Sequence, residues 1–240
     1  MAEHILPHDW PPPPRRRVYL MRHGEVDYFD STGRPHPVHT VPLTSRGAEQ
    51  ARAVGLALAE VPLDLVVSSG LRRTDETAQL VLGSRSVPVE TEPRLREIEP
   101  GRLADWAAVP PAAVRQFLLG SLGEGLEPTT QFLHGETIGA CQERVQQAWH
   151  ALLQRPGWST VVVVAHNVVN RLLLGACLGL PLSSLGRIEQ DPCGVNLIEV
   201  DSVGHTLVRF LNCSIHEPSK HTQRLTALEG LFEQFLRGRS

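Results

Sequence analysis

Arg22-His23-Gly24-Glu25 closes a short apolar run, Val18-Tyr19-Leu20-Met21, and gathers residue types that suit phosphoryl chemistry. An arginine forks onto phosphate oxygens. A histidine attacks phosphorus or carries a proton. A glycine lets the backbone turn sharply and approach a ligand. A second stretch of this kind, Ser68-Ser69-Gly70-Leu71-Arg72-Arg73-Thr74, follows the apolar Leu65-Val66-Val67. A third, Ala165-His166-Asn167, ends the valine run Val161 to Val164. Standing alone, each is no more than a polar strand end. Two histidines and one or two arginines on one rim make a cationic pocket, which fits a phosphoryl group better than a neutral ligand.

The elements that must position these residues are legible around them. The three apolar runs read as short β-strands, the valine run as one buried on both faces. Thr44 to Glu60 reads as a helix capped by Thr44 or Ser45, Leu71 to Leu82 as a second, Glu136 to Gln154 as a third and Val168 to Leu178 as a fourth that Asn167 can cap. Val195 to Val200 and Thr206 to Leu211 flank Asp201-Ser202-Val203-Gly204-His205 and predict a β-hairpin. Strands alternating with helices imply an α/β protein, a mixed sheet with helices on both faces. In such sheets ligands collect at the carboxyl ends of the strands, where His23 and His166 both fall.

Composition narrows the class. The 240 residues suffice for one large domain, and 41% hydrophobic with 20% charged residues fit a globular chain. A net charge of −3 gives no general attraction to nucleic acid or to a membrane surface. The sequence shows no membrane-length apolar stretch and no signal peptide. Cys141, Cys177, Cys193 and Cys213 are widely spaced, which argues for reduced thiols in a cytoplasmic protein rather than a disulfide framework or zinc site. The eleven histidines show no metal-ligand spacing, so no metal or other cofactor is expected. Residues 1–17 read as a Pro/Arg-rich leader with a polyproline segment at Pro11 to Pro14. Residues 18–216 form the domain, and residues 217–240 hold a C-terminal amphipathic helix with Leu225, Leu228, Leu231, Phe232, Phe235 and Leu236 on one face. That face is expected to dock on its own domain, with a homodimer as the alternative.

The ordered set RHGE, PLTSRGAEQA, SSGLRRTDETA, LREIEPG, HGET and VVVVAHNVVNRLLL, spanning about residue 18 to residue 178, resembles the histidine phosphatase superfamily in its phosphoglycerate mutase-like branch. The resemblance implies a three-layer α/β/α sandwich with a mostly parallel mixed sheet. It implies a phosphohistidine on His23, with Arg22, Arg73 and His166 holding the transferred phosphoryl oxygens. The family's motif places its arginine two residues after Leu71 and four before Thr77, which selects Arg73 over Arg72. Glu97 matches the family's general acid, with Glu99 as its rival. Glu136 matches a stretch that orients the site, although a helix-capping role suits it as well. Asn167, at a helix start, is placed to offer its backbone N–H to phosphate.

Two departures bear on the substrate. Phe29 stands where family members often carry a phosphate-contacting asparagine. The loop Tyr28 to Val41, with His36, His39 and Thr40, lacks the mutase-like tryptophan pattern. The resemblance therefore implies a metal-independent phosphatase of a small phosphorylated metabolite. A phosphoglycerate mutase or a non-catalytic phosphate-binding module are the alternatives. Residues between Glu99 and Glu136, rich in Gly, Pro and Leu, read as a lid in which Val109, Val114, Phe117, Leu118, Leu119 and Phe132 line an apolar mouth or the core face of a small helix.

Overall fold

The computed structural model describes residues 14–30, 34–101, 110–120, 122–123 and 125–237, with 117–119 described in backbone only. The described strands form a mixed six-stranded sheet in the order β3-β2-β4-β1-β5-β6. Strands β1 (Arg16–Arg22), β2 (Leu65–Ser68), β3 (Val89–Thr91) and β4 (Thr160–Ala165) run parallel, and the hairpin β5 (Val195–Val200) and β6 (Thr206–Cys213) runs antiparallel beside β1. Helices α1 (Ser45–Ala57) and α2 (Arg72–Leu82) cover one face; α4 (Ile138–Gln154) and α5 (Asn167–Leu178) cover the other. The alternation inside β1 shows why both faces are needed. Val18 and Leu20 enter the core beneath α4 and α5, while Tyr19 and Met21 enter the core beneath α1 and α2. All six residues of β4 are buried, as its valine run requires.

The element boundaries moved where tertiary contacts decide them. β1 starts at Arg16, inside the expected leader, because Arg17 and Arg16 extend the ladder to Glu199 and Val200 of β5. The guanidinium of Arg16 lies over the Trp158 ring, 4.4 Å from its centroid. Pro11 to Pro13 of the polyproline segment lie outside the described residues, as does Val109. Thr44 caps α1 by accepting from the Gly47 amide, and Thr137 caps α4 by accepting from the Ala140 amide. Asn167 is not a cap. His166 occupies that position in extended backbone, and Asn167 is the first helical residue. The lid region contains helix α3 (Pro111–Gly120), which packs against α6 (Ala227–Arg237) and buries Val114 in the core. Most of the expected apolar face of α6 turns inward, with Phe235 buried and Leu228, Leu231 and Phe232 packed on the core, but Leu225 lies before the helix and, like Leu236, is exposed. Among the described residues no helix is long and apolar enough to cross a membrane.

Candidate active site

Parallel register brings the two histidines together. Arg22 of β1 pairs with Ala165 of β4, so the next residue of each strand, His23 and His166, leaves the sheet at the same edge. The His23 amide donates to the Ala165 carbonyl at 3.1 Å, and the rings meet edge to face with centroids 5.2 Å apart. The turn after His23 is tight. A Cβ on Gly24 would stand 2.5 Å from the Gly47 carbonyl oxygen, and one on Gly47 would stand 2.2 Å from that of Glu25, so both close approaches require glycine. The Gly24 amide donates to Thr77 Oγ1 of α2 at 3.1 Å.

Hydrogen bonding fixes the state of each ring. His23 Nδ1 lies 2.7 Å from the Gly24 carbonyl, which can only accept, so Nδ1 carries the proton and Nε2 keeps its lone pair. His166 Nε2 lies 2.8 Å from Ser69 Oγ, which lies 3.0 Å from Thr74 Oγ1, whose hydroxyl donates to the Leu71 carbonyl. Ser69 follows β2, the strand beside β4, so three parallel strand ends supply this cluster. Burial, reinforced by the guanidiniums of Arg73 and Arg22, holds the His23 imidazole well below the usual histidine range despite the opposing pull of the Gly24 carbonyl. Burial and then Arg73, His23 and Arg22 depress His166 in the same way. Both rings are therefore neutral at pH 7, and His23 meets the first requirement of a nucleophile.

Arg73 is 2% exposed and Arg22 is 9% exposed, yet their guanidiniums hydrogen-bond to backbone carbonyls rather than to carboxylates. Arg22 Nη1 donates to the Gln190 carbonyl at 2.8 Å, and Arg73 Nη1 donates to the Val38 carbonyl at 2.6 Å. Among the described residues, Arg22 Nε, Arg73 Nε and His166 Nδ1 are buried with no hydrogen-bond partner. Buried cations and donors left without anions are costly unless a ligand completes them. Arg72 differs: it lies outside on α2, in an i,i+4 ion pair of 2.7 Å with Glu76.

Glu97 reaches the same edge from a loop. Its Oε1 accepts from its neighbour Ile98 at 3.1 Å, and the Val168 amide is shared between Oε1 and Oε2 at 3.2 and 3.3 Å. Glu97 thus supplies from 71 residues away the α5 cap that Asn167 does not, since Asn167 Oδ1 instead accepts from Arg171 Nε at 2.7 Å. Glu136 lies outside the cleft wall. Its carboxylate accepts from Arg144 Nε and Nη2 at 2.7 and 2.8 Å and from the Glu99 amide at 3.1 Å. A Cβ on the adjacent Gly135 would stand 2.1 Å from the Glu99 carbonyl oxygen, so glycine lets the two loops press together. Glu99 itself is exposed at the rim of the cleft.

A cleft of about 1000 Å³, its open mouth included, lies over these groups. Arg22, Arg73, Glu97 and Asn167 line its inner wall, and Phe29, Ile98, Phe132, Leu228, Leu231 and Phe235 are among the residues that line the rest. His23 and His166 are not on this wall; they are 1% and 0% exposed. The structure brings together His23, His166, Arg22, Arg73, Glu97 and Asn167, and leaves Glu136 behind them as a brace. Sequence reasoning missed Ser69 as the partner of His166, Arg144 as the partner of Glu136, and the part α6 takes in the cleft. Ser69 sits inside a motif already singled out, so its signal was available. Arg144 had none, because on α4 it looks like any solvated helix residue.

Residues 18–213 match the family model described as Histidine phosphatase superfamily (branch 1). The chain is 28% identical over 187 residues to a protein of Serratia proteamaculans named "Probable phosphoglycerate mutase GpmB", covering 76% of this chain and 84% of that one. Among solved structures it resembles the alpha-ribazole phosphatase from Shigella flexneri, with a TM-score of 0.66, 26% identity, and coverage of 82% of this chain and 96% of the other. It also resembles Bacillus stearothermophilus YhfR, with a TM-score of 0.66, 29% identity, and coverage of 80% and 95%.

Proposed function

The chain belongs to the histidine phosphatase superfamily, and on that premise we propose that it hydrolyses a small phosphomonoester, without a metal, through a phosphohistidine on His23. The observation that carries this reading is the pair of unpartnered buried donors, Arg22 Nε and Arg73 Nε, with the unpartnered His166 Nδ1 beside them, gathered around a neutral histidine. A phosphoryl group satisfies that set and disperses charge onto it in the transition state.

In the first step the His23 Nε2 lone pair forms a bond to phosphorus while the bond from phosphorus to the ester oxygen breaks. Glu97, entering the step as a carboxylic acid, gives its proton to the departing alkoxide. In the second step Glu97, now a carboxylate, takes a proton from water as the water oxygen bonds to phosphorus. The N–P bond then breaks, and inorganic phosphate leaves with His23 restored. As phosphate enters, His166 taking up a proton would turn Nδ1 into a donor toward it, with Nε2–H still directed at Ser69. The Asn167 backbone N–H, at the start of α5, adds a further donor.

The test is hydrolysis of p-nitrophenyl phosphate with chelator present, alongside acid-labile phosphate trapped on the protein. Turnover that survives the chelator, with trapped phosphate lost in His23→Ala, is the expected outcome. Chelator-sensitive turnover, or full activity in His23→Ala, overturns it. The name carried by the Serratia relative favours a second reading, phosphoglycerate mutase, in which the phosphohistidine passes its phosphoryl group to a second substrate. Bisphosphoglycerate-dependent isomerisation faster than hydrolysis would establish that order instead.

A further inference from the structure

Beyond the two arginines the described wall of the cleft turns apolar. Phe29, Phe132, Leu228, Leu231 and Phe235 face it. Phe29 and Phe235 meet edge to face with centroids 5.8 Å apart, and Phe235 is 4% exposed. At the position where a polar phosphate contact was expected, the chain therefore builds an aromatic pair. Three of the five residues come from α6, and α6 lies beyond residue 213, where the family match ends.

Polar contacts fix α6 across the mouth. Gln234 Nε2 donates to the Val26 carbonyl at 3.0 Å, and Gln234 Oε1 accepts from the Tyr28 amide at 2.9 Å. At the other end the Ala227 amide donates to Glu189 Oε1 at 3.2 Å, and Glu189 also pairs with Arg171 of α5 at 3.1 Å. The helix is thus tied to the loop that follows His23 and to the helix that follows His166. Its apolar face is a built wall of the site.

The charges on this wall decide what the wall accepts. Arg22 and Arg73 are committed to the phosphoryl group. The other basic side chains among the described lining residues, Arg96 and His39, are exposed at the rim. A phosphorylated acid would bring a carboxylate to a surface with no buried cation to receive it. An apolar leaving group would instead cover the aromatic pair and exclude water from the transferred phosphoryl group. We propose that the substrate is the phosphomonoester of an apolar alcohol, held against α6, and that Leu231 and Phe235 set this preference. The inference rests on the phosphatase reading above.

Benzyl phosphate and phosphoserine separate the two. Both leave as alkoxides, so their ratio of kcat/KM reads recognition rather than leaving-group ability. The expected ratio favours benzyl phosphate by about tenfold or more. Phe235→Ala should bring it down about tenfold. Because Phe235 is buried, half-buried Leu231 supplies an independent variant: Leu231→Lys should lower benzyl phosphate turnover and raise that of phosphoserine. Preference for phosphoserine in the parent protein, or an unchanged ratio in Leu231→Lys, overturns the proposal while leaving the phosphatase reading standing. Failure to turn over either ester, together with no phosphate trapped on His23, sinks both.

Discussion

Arg144 grips Glu136 through two parallel hydrogen bonds of 2.7 and 2.8 Å, and the same guanidinium donates to the carbonyls of Arg94 and Arg96, both at 2.7 Å, and of Glu97 at 3.3 Å. A single side chain of α4 therefore holds three backbone carbonyls within the four residues that end at Glu97, the proposed acid, while Glu136 holds the Glu99 amide from the other side. Neither residue is on the cleft wall, and both act through the position of Glu97.

Arg144→Ala should accordingly slow alkyl phosphate hydrolysis by about tenfold to a hundredfold, the scale of a small misplacement of a reacting group. It should slow p-nitrophenyl phosphate less, because p-nitrophenolate leaves without help. Arg144→Lys should not restore the rate, since lysine lacks the fork that meets a carboxylate and several carbonyls together. Equal losses on both substrates would show that the ion pair supports the fold alone.

Glu97→Gln should lose about 10²–10⁴-fold on alkyl phosphates, the usual range for general acid catalysis, and far less on p-nitrophenyl phosphate. The comparison applies where phosphohistidine formation limits the rate. If Glu97→Gln loses equally on the two, the acid is to be sought at Glu99, which sits exposed at the same rim.

Ser69→Ala should lower kcat on every phosphate ester by about tenfold to a hundredfold with little change in leaving-group dependence, because it releases His166 rather than Glu97. Thr74→Ala, one hydrogen bond further out, should follow in the same direction with a smaller loss. A Ser69→Ala enzyme with unaltered kcat would remove His166 orientation from the account.

The two buried histidines set an acid limit on stability. Each is held well below the ordinary value of 6.5 in the folded chain, so in the window between that depressed value and 6.5 the unfolded chain binds more protons. Stability is then fully present above about pH 6.5 and falls as pH drops, by up to about 1.4 kcal/mol per pH unit for each ring. Urea midpoints at pH 7.5 and pH 5.5 should show this loss in the parent and a smaller one in His166→Gln. An equal acid loss in that variant would assign it to other groups.

Cysteine labelling offers a check on burial. Cys193 is pushed up to about 12 and Cys177 up to about 11, in both cases chiefly by burial, and burial raises Cys141 as well. Cys213 is exposed. Native alkylation near pH 8 should modify Cys213 first and leave Cys141 and Cys193 intact until the chain unfolds. Early modification of Cys193 would mean that the strand ends beside His23 open readily.

Much of this architecture was legible because the signals are local and repeated. The valine run of β4 has no polar residue to offer solvent, and a strand with two buried faces needs helices on both sides. His23 and His166 fell at strand ends in the sequence, and parallel register did the rest. β3 was not legible, because three residues at a sheet edge, two exposed and one half-buried, carry no periodicity. The cap of α5 was read as Asn167 on the local rule, but β4 ends one residue earlier than that rule needs and the cap arrives from Glu97. Spacing marks the apolar face of α6 as one that docks, but its place in the cleft, like the role of Arg144, depends on contacts between elements far apart in the chain, of which local spacing says nothing. Phe29 was read as a missing polar contact, and only its meeting with Phe235 gives it a positive role.

The placement of α6 has an evolutionary corollary. The groups proposed to handle phosphorus emerge from β1, β2 and β4 and the loop of Glu97, all inside residues 18–213, whereas much of the apolar wall hangs on the eleven residues of α6, beyond that match. Substitutions on the cleft face of α6 can therefore drift without touching those groups, provided its ties through Gln234 and the Ala227 amide are kept. If α6 sets the substrate as proposed, a lineage holding this division acquires a new one by rewriting that helix while inheriting the phosphoryl chemistry unchanged.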